Sequence, residues 1–209
     1  MSSTTTRFLL IRHGETEWNV ARREMGQLDS PLTALGVAQA QRTGAALLAR
    51  RPSAIYSSDL GRAQSTARII ASALKLEPIF DPRLRERHMG IFQGLTPEES
   101  EARHPVERRA YRADESYVIP GGESAAQRAE RGFACIEELA EKHHGETVAV
   151  ITHGGLLMGL LERMLELPPG SGRRFQKPNA AINSFVREDS GWRLESWGAT
   201  AHLQDLRTK

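Results

Sequence analysis

Short apolar runs alternate with longer stretches of amphipathic spacing along this chain. Four runs have the length and composition of buried strands, namely 7–11, 54–56, 77–80 and 147–152. Apolar residues recur at helical spacing in four further stretches, at 33–49, about 60–75, 124–144 and 156–167. Segments 181–187 and 192–197 flank the turn 189–191 and predict a terminal hairpin. The alternation of strands and helices predicts an α/β fold with a mostly parallel sheet.

Capping signals mark the ends of several predicted helices. Thr33 is suited to cap the first helix, and Thr96-Pro97-Glu98-Glu99 combines a cap, a first-turn proline and a capping-box glutamate. Pro120-Gly121-Gly122 interrupts the chain before a helix that begins near Ser124, and Gly145 ends that helix.

Composition narrows the class of protein. The 209 residues are 39% hydrophobic and 26% charged, and no linker or repeat interrupts them, so we expect one domain over 1–209. A net charge of +2 argues against a general nucleic-acid binder. No apolar run approaches the roughly 20 residues of a membrane helix. The first residues lack a secretory pattern and Cys135 is the only cysteine, so we expect a cytoplasmic protein without disulfides.

Two histidines follow predicted strands in the same way. Arg12-His13-Gly14 comes directly after the first strand, and His153-Gly154-Gly155 comes directly after the strand at 147–152. Ligands of open parallel sheets bind beyond the carboxyl ends of the strands, and helix starts attract anions. One His-Gly corner alone is more often a structural turn. Two such corners at one sheet edge favour a phosphate site.

Arg62 and Glu86 are candidates to complete such a site. Arg62 lies in the strand-to-helix junction 57–63, where its guanidinium could clamp two phosphate oxygens. Glu86 could protonate a leaving alkoxide and later take a proton from water. Taken alone, Arg62 also fits a solvated helix surface and Glu86 a surface ion pair, so both alternatives stay open here.

The octapeptide Arg12-His13-Gly14-Glu15-Thr16-Glu17-Trp18-Asn19 closely resembles the signature of the histidine phosphatase superfamily, which includes the cofactor-dependent phosphoglycerate mutases. Four further blocks occur in the order and approximate spacing of that family, at 57–63, 84–90, 120–124 and 152–155. The resemblance runs from about residue 7 to about residue 202, which is nearly the whole chain.

This resemblance implies a three-layer α/β/α sandwich with a small helical lid inserted at about 87–124. It makes His13 the residue that is phosphorylated and Glu86 the proton donor. The other catalytic residues that it implies are Arg12, Arg62 and His153. The substrate-binding residues that it implies are Asn19, Gly14, Thr16, Gln27, Arg87 and Gly154. A neutral imidazole is a competent nucleophile, and fixed cations stabilise a transferring phosphoryl group, so no metal or other cofactor is expected.

The resemblance implies a metal-independent phosphatase of small phosphomonoesters, with a mutase as the first alternative. Mutases of the family carry a lysine where this chain has Pro97, and a longer insertion before Pro120. Both departures favour hydrolysis. Segments 86–90 and 108–111 resemble the mutases instead, although Arg108 and Arg109 of the second segment also fit a solvated helix face.

A second alternative is a phosphate-ligand or protein-binding module without catalysis, which the presence of both His13 and Glu86 disfavours. Cys135 is not a candidate nucleophile of a cysteine phosphatase, because the arginine required six residues later is Glu141. No Walker loop, Gly-x-Ser-x-Gly elbow or metal-ligand cluster is present in the sequence. The expected partner is a small phosphate ester rather than a nucleic acid or a membrane, and a homodimer is an expectation from the family.

Overall fold

The computed structural model describes residues 5–114 and 116–206. One six-stranded sheet organises them, with strands β1 Thr6–Arg12, β2 Ala54–Ser57, β3 Pro78–Phe80, β4 Thr147–Thr152, β5 Ile182–Glu188 and β6 Gly191–Ala199. The strand order is β3-β2-β4-β1-β5-β6. The first four strands of that order run parallel, while β5 and β6 pair antiparallel at one edge. The predicted mostly parallel sheet and terminal hairpin are confirmed.

Seven α-helices accompany this sheet in the described part of the chain. They are α1 Glu17–Val20, α2 Ala34–Leu48, α3 Gly61–Leu74, α4 Pro97–Arg103, α5 Pro105–Ala113, α6 Ala125–Lys142 and α7 Gly154–Met164. None of the helices that the structure describes is long and apolar enough to cross a membrane.

The predicted caps Thr33 and Thr96 each hold a helix, and Ser124, where a helix start was predicted, caps a third. Thr33 Oγ1 accepts a hydrogen bond from the Gly36 N–H at 3.0 Å. Thr96 and Ser124 each form a capping box with the side chain three residues on. Such contacts satisfy N–H groups that have no partner inside the helix, which is why these polar residues begin helices. The sequence prediction missed the short α1 and all of α5, and it began α7 two residues late.

Alternating residues of β1 supply a separate core on each face of the sheet. Phe8 and Leu10 pack with apolar side chains of α6 and α7, whereas Leu9 and Ile11 pack with those of α2 and α3. Helices therefore cover both faces, which confirms the three-layer sandwich. The predicted domain limits 1 and 209 lie outside the described residues.

Strand register brings the two His-Gly corners together. Arg12 at the end of β1 pairs with Thr152 at the end of β4, so His13 and His153 leave the sheet side by side. Arg62 enters from the first turn of α3, directly after β2. The insertion between β3 and α6, which holds α4 and α5, places Tyr111 and Arg112 over the same edge.

Candidate active site

A cavity of about 530 Å³ opens at this edge of the sheet. Seven of the predicted site residues line it, namely Arg12, His13, Asn19, Arg62, Glu86, Arg87 and Gly154. Four others do not line it, namely Gly14, Thr16, Gln27 and His153. The structure therefore brings most of the predicted set around one cavity and places the rest behind its wall.

His13 is buried, and its imidazole is oriented by its own loop. The ring Nδ1 lies 2.8 Å from the Gly14 carbonyl oxygen. Because a carbonyl can only accept, Nδ1 carries the proton and Nε2 keeps a lone pair. Burial, followed by the charges of Arg12 and Arg62, lowers the pKa of His13 well below its usual value. The imidazole is therefore neutral near neutral pH, as a nucleophile requires.

His153 lies beside His13, with 5.2 Å between the two ring centroids. Its Nε2 is 2.8 Å from Ser58 Oγ, which also accepts the Leu60 N–H at 3.3 Å. The Ser58 hydroxyl proton is available to Nε2, and in that tautomer His153 carries its own proton on Nδ1. That Nδ1 is buried and has no hydrogen-bond partner among the described residues. Burial and then Arg62 lower the pKa of His153 well below its usual value.

Arg62 is buried and fixed by the backbone of a neighbouring loop. Its Nη1 donates to Leu28 O at 2.6 Å and to Asp29 Oδ1 at 3.2 Å, and its Nη2 donates to Gly26 O at 2.8 Å. A guanidinium has five N–H groups, so one on Nη2 and one on Nε remain for a ligand. This arrangement overturns the alternative of a solvated helix-surface arginine and leaves two donors for the predicted clamp.

Arg12 provides a second guanidinium with unused donors. Its Nη1 donates to the Lys177 carbonyl at 2.6 Å, while its buried Nε has no hydrogen-bond partner within the described residues. Burial lowers the pKa of Arg12, although the nearby Glu86 opposes that shift. An arginine remains charged under these conditions, so Arg12 and Arg62 give the cavity a fixed positive end.

The Asn19 amide is oriented as a donor by its neighbours. Its Oδ1 accepts the Thr16 N–H at 3.2 Å and Asn179 Nδ2 at 3.1 Å. The oxygen is thereby occupied, and the amide NH₂ is the part of Asn19 left for a ligand. Thr16 caps α1 and positions Asn19 rather than lining the cavity. Asn179 also donates to the His13 carbonyl at 3.0 Å.

Glu86 is held by two backbone N–H groups. Its Oε1 accepts the Arg87 N–H at 2.8 Å and its Oε2 accepts the Gly155 N–H at 2.7 Å. Its backbone carbonyl accepts from Gln27 Nε2 at 3.2 Å and from Arg131 Nη2 at 2.9 Å. Glu86 lines the cavity, so the alternative of a surface ion pair is wrong.

Gly14 has a packing role that the sequence prediction did not anticipate. A Cβ at this position would lie 2.5 Å from the Gly36 carbonyl oxygen, at the start of α2. The missing side chain therefore lets a helix approach the loop. Gln27 likewise supports the backbone of Glu86 instead of lining the cavity.

Arg87 and Arg108 tie the α4–α5 insertion to the cavity wall. Arg87 Nε donates to Glu123 O at 2.6 Å and its Nη2 to Tyr117 O at 2.7 Å. Arg108 is buried and donates to Glu24 Oε1 at 2.6 Å. The interpretation of Arg108 as part of a solvated helix face is therefore wrong, whereas its neighbour Arg109 is exposed.

Among the residues of this region that sequence reasoning missed are Ser58, Arg128, Gly155 and Asn179. Ser58 and Gly155 fall inside the motif blocks, and their position directly after β2 and β4 was a usable signal. Arg128 lies only four residues after the block 120–124, but no pattern there indicated that it faces the cavity. Asn179 lies far from the motifs in sequence and reaches the site only through tertiary packing.

Alternative chemistries find little support in the described residues. Burial and then the Asp81 carboxylate raise the pKa of Cys135 to about 12, and its side chain belongs to the core beneath α6. Within residues 5–114 and 116–206, no three His, Cys, Asp or Glu side chains are grouped to hold a metal ion. The cavity instead combines a neutral imidazole, two fixed guanidinium groups and one oriented carboxyl group.

This fold and this combination of groups define an enzyme class. The family model described as histidine phosphatase superfamily (branch 1) matches residues 8–200. The chain belongs to this superfamily, and it is a phosphatase of that class.

Known proteins resemble the chain over most of its length. It is 40% identical to the probable phosphoglycerate mutase GpmB of Yersinia enterocolitica, over 93% of each chain. It is 38% identical to the metal-independent phosphoserine phosphatase of Arabidopsis thaliana, over 99% of this chain and 87% of that protein. The chain also resembles a solved structure of Entamoeba histolytica phosphoserine phosphatase, a histidine-to-alanine variant in complex with phosphoserine. The two have a TM-score of 0.85 and 28% sequence identity, and the match covers 95% of this chain and 99% of that one.

Proposed function

We propose that the protein hydrolyses small phosphomonoesters, without a metal, through a phosphohistidine on His13. One observation carries the proposal. His13 is neutral, buried and oriented by the Gly14 carbonyl, so its Nε2 lone pair is available beside the charges of Arg12 and Arg62. A nucleophile next to fixed cations suits attack on a phosphoryl group, whose charge is spread over its equatorial oxygens.

In the first step, His13 Nε2 forms a bond to phosphorus while the ester P–O bond breaks. Glu86, in its protonated form, gives its proton to the departing alkoxide. Arg12 Nε and the free N–H groups of Arg62 supply donors to the phosphoryl oxygens, while His153 lies beside His13 behind the cavity wall.

In the second step, Glu86 is a carboxylate and takes a proton from water. The water oxygen bonds to phosphorus, the P–N bond to His13 breaks, and inorganic phosphate leaves. Glu86 recovers its proton and His13 its lone pair, so the enzyme returns to its starting state. The backbone N–H groups of Arg87 and Gly155 keep the Glu86 carboxyl in one place through both steps.

The similar proteins support small phosphorylated acids as substrates. Two of them are phosphoserine phosphatases and the third is a probable phosphoglycerate mutase. We therefore propose phosphoserine and 3-phosphoglycerate as the first compounds to examine. The α4–α5 insertion, which contributes Tyr111 and Arg112 to the cavity, is proposed to act as the lid that selects among them.

The decisive experiment compares phosphate release by the wild type and by His13→Ala. The substrates are p-nitrophenyl phosphate, O-phosphoserine and 3-phosphoglycerate, and EDTA is present throughout. We expect release by the wild type and a loss of about 10⁴-fold or more in the variant, because the covalent route is removed. The exposed His144→Ala is the matched control and should retain wild-type rates.

Rapid acid and alkaline quenches identify the intermediate. Label from a phosphorylated substrate should remain on the wild-type protein in alkali and be lost in acid, as expected for a phosphohistidine, and should be absent from His13→Ala. Wild-type release that EDTA abolishes, or that His13→Ala retains, would contradict the proposal.

Mutase activity is the second candidate, because one similar protein is a probable phosphoglycerate mutase. Pro97, where the mutases carry a lysine, is the first residue of α4 and does not line the cavity. Interconversion of 2- and 3-phosphoglycerate that requires a bisphosphate primer, with no net release of phosphate, would favour the mutase.

A further inference from the structure

Arg128 is a buried cation without a hydrogen-bond or ion-pair partner among the described residues. It lies in the first turn of α6, lines the cavity and exposes only 5% of its surface. Its Nε has no hydrogen-bond partner, and its guanidinium forms no ion pair with a residue in 5–114 or 116–206. Buried charges are costly unless they are paired. An arginine in this state is suited to an anion that arrives with a ligand.

Contacts along α7 give the position of Arg128 relative to Glu86, the proposed proton donor. Gly155 and Gly159 are four residues apart and so lie on one face of this helix. The Glu86 carboxyl contacts Gly155, whereas a Cβ on Gly159 would lie 3.3 Å from Arg128 Nη2. One helical turn, about 6 Å, therefore separates the two contacts along α7. The Arg128 contact is therefore one helical turn farther than the Glu86 contact from His153, which directly precedes α7.

No described carboxylate neutralises Arg128. Two acids line the cavity, Glu24 and Glu86. Glu24 forms an ion pair with Arg108 at 2.6 Å, and Glu86 is held by backbone N–H groups. Besides Arg12 and Arg62, the other cations that line the cavity are Arg23, Arg87, Arg112, Arg173 and Lys177. The cavity as a whole is therefore lined by more cationic than acidic side chains.

We propose that Arg128 binds a second acidic group of the substrate, either a carboxylate or a second phosphoryl group. This inference rests on the proposed function, because it takes the transferred phosphoryl group to lie at His13. The planar guanidinium matches both kinds of anion by paired hydrogen bonds. A hydrogen bond of about 2.8 Å at each end leaves room for a short carbon chain between Glu86 and Arg128. The substrate class is thus a short phosphomonoester with an acidic leaving group.

The test measures binding without turnover, in the His13→Ala background, by calorimetry. O-phosphoserine and O-phosphoethanolamine differ only by the carboxylate. Replacement of Arg128 by methionine should weaken phosphoserine binding by about 10- to 100-fold, the usual contribution of a hydrogen-bonded charge. It should change phosphoethanolamine binding by less than about threefold. Arg128→Lys keeps the charge but not the planar fork and should give an intermediate affinity.

A second pair of ligands separates the two kinds of anion. Propane-1,3-diol bisphosphate and propyl phosphate differ by one phosphoryl group. A loss confined to phosphoserine assigns the subsite to carboxylates, and a loss confined to the bisphosphate assigns it to a second phosphoryl group. Arg42→Met removes one exposed positive charge on α2 and is the matched control, for which no ligand should bind differently.

Equal losses for both members of each pair would overturn the proposal, since Arg128 would then support the cavity structurally. Unchanged binding of every ligand would also overturn it. If the protein is not a phosphatase of small esters, the experiments give a result that differs from both of these. In that case the wild type releases no phosphate from any ester, while the dependence of phosphoserine binding on Arg128 can still be measured.

Discussion

Gly155 determines the position of the Glu86 carboxyl, the proposed proton donor. The Gly155 N–H donates to Glu86 Oε2 at 2.7 Å, and a Cβ on Gly155 would overlap Glu86 Oε1. The backbone can approach the carboxyl this closely only because residue 155 lacks a Cβ. General acid catalysis depends on such placement, since a proton donor must lie within hydrogen-bond distance of the leaving oxygen.

Gly155→Ala should therefore displace the Glu86 carboxyl and lower kcat. A shift of about 1 Å costs on the order of 100-fold in rate, so we expect a loss of that size with little change in KM. Steady-state kinetics with O-phosphoserine measures both quantities. The double variant Gly155→Ala/Glu86→Gln should be no slower than Glu86→Gln alone, because both changes act through one carboxyl. Additive losses would show that Gly155 acts elsewhere.

Motifs predicted the principal side chains of the site but not the contacts that orient them. His13 and Glu86 were identified from the sequence because each lies in a recognisable block. Each has one partner next to it in sequence, the Gly14 carbonyl and the Arg87 N–H, and one that is distant: Asn179 contacts the His13 carbonyl across 166 positions, and Gly155 contacts Glu86 across 69. Contacts of this kind arise from packing of the whole sheet, so local spacing carries little information about them.

The helix α5 shows why one element escaped prediction while its neighbours did not. Strands and long helices carry apolar residues at a clear period, and α2, α4 and α6 also carry caps. The buried residue of α5 is instead Arg108, which pairs with Glu24 and lies over the rings of Phe92 and Tyr111, 5.5 and 5.7 Å from their centroids. Sequence patterns assign a charged residue such as Arg108 to the solvent-exposed face of a helix. Its burial becomes apparent only when the partner is known.

Arg108→Met should loosen α5 and impair substrate binding. The change removes the ion pair and leaves Glu24 partly buried without its cation, which destabilises the insertion. We expect faster amide hydrogen exchange over 105–113 and a KM for O-phosphoserine raised by roughly 3- to 30-fold, as Tyr111 and Arg112 leave the cavity wall.

Arg109→Met is the matched control on the same helix, because Arg109 is exposed. It should leave both hydrogen exchange and KM near the wild-type values. Replacing Glu24 by glutamine in the Arg108→Met protein should restore part of the protection, since no charge is then left unpaired. If both arginine variants behave alike, α5 is not held by the Arg108–Glu24 pair.

At the scale of the whole molecule, the site makes stability depend on pH. His13 and His153 are fully buried beside cationic groups, and burial is the main cause that lowers the pKa of each. In the unfolded chain both would titrate near about 6.5. Below that pH the unfolded chain binds protons that the folded protein does not accept. The free energy of unfolding is thus highest above about pH 6.5, and it decreases as the pH falls towards the pKa values of the two histidines in the folded protein.

The free energy of unfolding should therefore fall between about pH 6.5 and pH 5.5, by up to roughly 1.4 kcal/mol per pH unit for each histidine. Urea titrations in phosphate-free buffer measure this slope, since a bound anion would favour protonated histidines. The double variant His13→Gln/His153→Gln should lose most of the slope, whereas exposed His144→Gln should keep it. A slope that survives in the double variant would mean that other groups take up those protons. That result would also contradict the lowered pKa of His13, on which its neutral state as a nucleophile depends.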